Sequence, residues 1–135
     1  MTRLYTLGYT GWTPEALAGS VIVLEAVLAD IRYSPRSRVP HWNQAHLVRL
    51  LARRYRHLKA LGNRNYKGGD IELVDLPDGL RHLEALLAEY AAVILMCACR
   101  DLGTCHRRVV ADACRDALGL EATELRRNSG PDRRF

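Results

Sequence analysis

Near the end of the chain, the run Cys97-Ala98-Cys99-Arg100-Asp101-Leu102-Gly103-Thr104-Cys105-His106-Arg107-Arg108 gathers thiols, an imidazole and guanidinium groups. Thiols and imidazoles serve nucleophilic, redox or metal chemistry, and arginine presents a flat fork of donors to phosphate or carboxylate. If Cys105 and His106 open a helix, the free amides and positive dipole end there lower the thiol pKa and receive an anion, with Arg107 or Arg100 closing over it. Cys105 is therefore a candidate nucleophile or redox thiol, and His106 a candidate proton carrier. Cys97 lies inside an apolar run and reads as a packing residue.

Zinc has its ligand types in Cys97, Cys99, Cys105 and His106. The C-x-C pair and the adjacent Cys-His depart from the C-x2-4-C spacing of common structural sites, so no metal ligand is assigned and no cofactor is expected. A phosphatase-type or rhodanese-type loop requires a cysteine, five residues and an arginine; Cys97 and Cys99 lead instead to Gly103 and Cys105 at that position.

A second group is Asp30-Ile31-Arg32-Tyr33-Ser34-Pro35-Arg36-Ser37-Arg38-Val39-Pro40-His41-Trp42-Asn43. Arg32, Arg36 and Arg38 leave one strand end together, and the prolines stiffen their loop, which lowers the entropy lost on binding a phosphate. Asp30 reads as an orienting partner for one of these arginines or as a general base. A third group, Tyr55, His57 and the stretch Leu61 to Lys67, brings Arg64, Asn63 and Asn65 for contacts to a base or ribose and Tyr66 for stacking. Gly8-Tyr9-Thr10-Gly11-Trp12 lacks the G-x-G-x-x-G pattern of dinucleotide folds, but its glycines admit close backbone approach and Tyr9 is expected to line a pocket. The candidate site thus comprises Asp30, Cys105 and His106 for chemistry, and Tyr9, Arg32, Arg36, Arg38, Arg64, Asn65, Arg100 and Arg107 for ligand contact.

Elements of alternating type must position these groups. Short apolar runs at Leu4–Leu7, Val27–Ile31, Arg56–Leu58, Ala92–Cys97 and Thr123–Leu125 read as strands. Ala92–Cys97 is continuous and apolar, as a parallel strand covered on both faces should be. Helices are expected from a Thr13 cap with Pro14 behind it, over Gln44–Arg54 with Asn43 as cap, over Gly79–Tyr90, and over Cys105–Leu118. Leu61 to Asp70, rich in glycine and asparagine, reads as an irregular and partly mobile loop. The alternation predicts an α/β three-layer sandwich, with a mainly parallel sheet of about five short strands flanked by helices, over residues 1–125. Residues 126–135 read as a disordered basic tail.

Composition narrows the classes of function. The 135 residues suit one domain, and 48% hydrophobic content supplies a core. The run from Met1 lacks a signal-peptide core and no apolar stretch reaches about 20 residues, so the reading is cytoplasmic with no membrane association. A net charge of +5, carried almost wholly by arginine, points to an anionic partner such as nucleic acid or nucleotide. GC-rich codon usage is the competing explanation of that excess. The oligomeric state is left open.

In order along the chain, Thr6-Leu7-Gly8-Tyr9-Thr10, Asp30-Ile31-Arg32 with Pro35-Arg36-Ser37-Arg38, Tyr55 and His57-Leu58 with Leu61-Gly62, and Cys97 with Cys105-His106-Arg107 resemble the bacterial and archaeal domain-of-unknown-function family 488. The resemblance runs from about Leu4 to Gly119. It implies a compact α/β fold with these motifs in one pocket, and no established reaction. Where many relatives carry glutamate this chain has Cys99, so a carboxylate role there is not carried over. Three readings follow: a pocket for a phosphate-bearing ligand, with or without catalysis on it; a thiol-redox or zinc protein using Cys97, Cys99, Cys105 and His106; and a non-catalytic module for an anion or a partner.

Overall fold

A computed structural model describes residues 3–99, 103 and 105–127. Arg100 and the tail from residue 128 lie outside the described residues, so the expectations for them have no structural counterpart here. Five strands, β1 (Arg3–Gly8), β2 (Ala26–Asp30), β3 (Tyr55–His57), β4 (Ala92–Cys97) and β5 (Ala122–Glu124), form one sheet in the order β3-β2-β4-β1-β5. Every pairing is parallel.

Alternation along the central strands divides the core into two layers. Val27, Ala29, Val93, Leu95 and Cys97 face one side, where they meet Leu83 and Leu86 of α3 (Leu76–Glu89) and Val110 and Cys114 of α4 (His106–Leu118). Ala26, Leu28, Ile94 and Met96 face the other, packed on Leu17 and Val21 of α1 (Pro14–Val23) and Leu47 and Leu51 of α2 (Gln44–Leu51). This is the expected three-layer α/β sandwich, and it explains why β2 and β4 are buried at every position.

The helices after β1 and β2 cover one face, and those after β3 and β4 cover the other. Neighbouring chains therefore diverge at the carboxyl end of β4, which lies between β2 and β1. Such a switch point opens a crevice where ligands bind in open parallel sheets.

Local signals account for most helix boundaries. The Thr13 side chain accepts from the Ala16 amide at 3.1 Å, and Pro14 sits in the first turn of α1, as expected. Two boundaries need correction. α3 begins at Leu76, earlier than apolar spacing suggests, because Asp75 caps it by accepting from the Asp78 amide at 3.1 Å and Pro77 occupies its first turn. α2 ends at Leu51, after which Ala52 turns with φ +52° into a short 3-10 segment through Arg54. Asn43 makes no cap bond with its side chain: its Oδ1 instead accepts from the Ser37 amide at 2.6 Å and closes the proline-flanked loop on itself.

Leu61 to Asp70 is likewise more organised than its composition implies. Asn63 Oδ1 accepts from the amides of Asn65 (3.0 Å) and Glu72 (2.9 Å), and Asn63 bridges Leu73 in antiparallel fashion. One side chain thus supplies the turn that glycine content alone leaves undefined.

Candidate functional site

A cavity of about 550 Å³ opens at the carboxyl ends of the strands, in the crevice beside β4. Its walls come from four places: Tyr9 after β1, Arg32, Tyr33, Ser34 and Arg36 after β2, the loop around Asn63, Asn65 and Tyr66 after β3, and Cys97 to Cys99 with His106 at and beyond the end of β4. Arg32 and His106, far apart in the chain, therefore share one cavity. No described residue lining it is acidic.

The β2 side is a closed network around a carboxylate. Asp30, wholly buried, accepts from the Arg32 amide (3.1 Å), Arg32 Nε (2.9 Å), Arg32 Nη2 (2.7 Å) and the Tyr55 hydroxyl (2.5 Å). Burial works to lower the Arg32 pKa, but the hydrogen bond and charge of Asp30 prevail and hold it above the ordinary arginine value. Burial first, then the charge and hydrogen bond of Asp30, raise the pKa of Tyr55. With four donors on its two oxygens, Asp30 fits the orienting reading and not that of a general base. Arg32 is positioned further by Tyr9, whose ring lies 5.5 Å below its guanidinium and stacks on Trp42 at 4.3 Å. His57 completes the cradle through Nε2, 2.8 Å from the Arg32 carbonyl. After these contacts Arg32 Nη1 is buried and has no hydrogen-bond partner among the described residues.

The β4 side gathers sulfur. The Sγ atoms of Cys97, Cys99 and Cys105 all lie within 4.8 Å of one another. Cys105 falls well below the ordinary thiol range, because the thiols of Cys97 and Cys99 donate to it; burial opposes the shift, and His106 and the Arg107 amide add to it. Cys97 rises, chiefly through its hydrogen bonds to Cys105 and Cys99 and then through burial. Cys99 also rises, first through its bond to Cys105.

His106 ties this side to β2. Its Nε2 lies 2.7 Å from the Ile31 carbonyl, which can only accept, so Nε2 carries a hydrogen there. Its Nδ1 lies 3.9 Å from Cys105 Sγ.

Arg107 departs from the sequence expectation. It is wholly buried and does not line the cavity; its Nη2 and Nε bind Glu124 at 2.7 and 3.2 Å, and its Nη1 donates to Cys97 Sγ (3.2 Å) and the Cys99 carbonyl (2.9 Å). The α4 amphipathic pattern turns Arg107 inward toward β5, so it braces the sulfur cluster from behind instead of closing over an anion. Gly8 makes room for this: a Cβ there would stand 1.6 Å from the Cys99 carbonyl oxygen.

Of the remaining candidates, Arg36 and Asn65 line the cavity, whereas Arg38 and Arg64 do not. Arg64 is exposed and turned back, its Nη2 3.3 Å from the Val74 carbonyl. Sequence reasoning missed Glu124, the partner that buries Arg107, and Trp42, the support beneath Tyr9. An acid in the last strand was the only available sign of the first. The stacking of Tyr33 on Tyr66, 5.6 Å between ring centres, was equally invisible because the rings come from different loops.

The fold and this cavity define an α/β protein with a cysteine-walled pocket at the switch point of a parallel sheet. Within that class the family is shown by sequence: the profile of the domain of unknown function DUF488 matches residues 25–114, more than half of the chain. The chain belongs to this family. The matched span is shorter than the Leu4 to Gly119 resemblance, and holds Asp30, Arg32, all three clustered cysteines and His106, but neither Tyr9 nor Glu124. No curated protein matches the chain significantly.

Proposed function

We propose that the cavity binds a phosphate-bearing ligand, either a nucleotide or a nucleotide unit of nucleic acid. The observation that carries this reading is Arg32: a buried guanidinium on the cavity wall, held rigid by Asp30 and Tyr9, with Nη1 unpaired among the described residues. An unsatisfied buried donor costs free energy that an anionic acceptor returns, and a preorganised fork loses little entropy in accepting it. Arg36 adds a second positive charge, and the lining offers no acid to oppose it. Tyr33 and Tyr66, stacked at the cavity edge, offer a ring platform for a base. The volume of about 550 Å³ suits one nucleotide-sized ligand.

Binding of nucleoside monophosphates and of fluorescent single-stranded RNA and DNA, measured across a salt series, tests the reading. Affinity is expected to fall with salt, inorganic phosphate to compete, and Arg36→Ala to weaken binding about tenfold through loss of one charge-assisted bond. The proposal fails if no phosphate compound binds, or if Arg36→Ala binds as the wild type does.

A further inference from the structure

The cavity has a second wall whose chemistry the phosphate reading does not use. We propose that Cys97, Cys99 and Cys105 together bind one thiophilic divalent cation, Zn2+ by ligand type, with its remaining coordination position open to the cavity.

Geometry is the first support. Three sulfurs already lie within 4.8 Å of one another, and tetrahedral Zn–S bonds of about 2.3 Å set sulfurs about 3.8 Å apart, so closure needs roughly an ångström of movement. The carriers of the trio differ in kind, with β4 ending at Cys97, Cys99 two residues beyond it and Cys105 capping α4. Convergence in space therefore replaces the regular sequence spacing of familiar zinc motifs.

The surroundings are the second support. Arg107 Nη1 donates to Cys97 Sγ at 3.2 Å, and N–H donors of this type orient metal thiolates and offset their charge. Arg107 is itself clamped by Glu124, so that donor is fixed before any cation arrives. A disulfide would consume only two of the three sulfurs and strand the third, whereas one cation uses all of them. Cys97 and Cys99 also line the cavity, so the fourth position faces solvent or ligand. Three thiolates favour Zn2+ over oxygen-seeking cations such as Mg2+. On binding, the thiol protons that remain leave to solvent and three Zn–S bonds form, with no change in oxidation state.

Titration of the reduced full-length protein with Co2+, followed by sulfur-to-cobalt charge-transfer absorption, is the test. Saturation at one equivalent is expected, with Zn2+ displacing the cobalt. Cys99→Ser, at an exposed position that leaves the core intact, should lose about a third of the charge-transfer intensity and weaken affinity more than tenfold. Cys114→Ser, on α4 outside the trio, should titrate as wild type. Absence of charge-transfer bands, an undiminished Cys99→Ser spectrum, or a disulfide within the trio of freshly purified protein overturns the proposal. Because the readout is spectroscopic and needs no phosphate ligand, its failure is separable from failure of the phosphate site.

Discussion

The ends of β2 and β4 each bury an arginine against a carboxylate, yet the two guanidinium groups are engaged to different extents. Arg107 spends its guanidinium on Glu124, a sulfur and a carbonyl behind the cavity wall, whereas Arg32 spends only part of its own on Asp30 and stands on the wall with Nη1 unpaired. The difference teaches that a buried arginine is read by its unspent donors and not by its burial. An arginine wholly engaged with protein partners braces the fold, whereas one held rigid but incompletely engaged keeps the donor on which the proposed anion site rests.

The comparison is tested most severely by removing Arg107. Arg107→Ala leaves the part-buried Glu124 without its cation, and urea denaturation should report a loss of about 3 kcal/mol. A near-neutral result would mean that Glu124 is solvated in solution and that the two arginines are not counterparts. Next in size is Tyr55→Phe, which deletes a hydroxyl donor to Asp30 and should cost about 1.5–3 kcal/mol by the same measurement.

The same residue sharpens the β2 side through pH. Because burial and Asp30 raise the Tyr55 pKa above its ordinary 10.0, the folded state holds this proton more tightly than the unfolded state does. Its stability contribution is complete below pH 10 and declines as pH rises beyond it. Tyr55→Phe should flatten that decline in a series of denaturation curves, and an unchanged slope would show that the phenol is not held against Asp30. The smallest effect belongs to the arginines outside both pairs: Arg38→Ala and Arg64→Ala should each alter stability by less than about 0.5 kcal/mol and leave cavity ligand affinity unchanged. A clear affinity loss in either would extend the recognition surface beyond the cavity.

Much of the architecture was legible along the chain. Continuous apolar runs announced β2 and β4, leucine spacing announced α3, and Val109, Val110 and Ala113 announced α4, because burial on one or two faces imposes a period that composition records. Boundaries were less legible where a side chain took an unforeseen job, as with Asn43 binding Ser37 instead of capping α2. The site was legible by region more than by role. Tyr9, Arg32, Arg36, Asn65, Cys99 and His106 do meet at one cavity, but nothing in the linear order distinguishes Arg36 on its wall from Arg38 off it. Spacing also argued against a metal, and because it measures separation along the chain it gave no sign that three sulfurs lie within 4.8 Å of one another.

The residues alone determined the order of strands and helices, the family, and the end of the sheet at which the reactive groups emerge, since each is written in local pattern and in the alternation of elements. Only the tertiary structure decided which arginine is clamped and which retains a free donor, and that three sulfurs from a strand, a loop and a helix cap converge. Those outcomes depend on angles and distances summed over many residues, and a displacement of a few ångströms, which leaves no trace in composition, would reverse them.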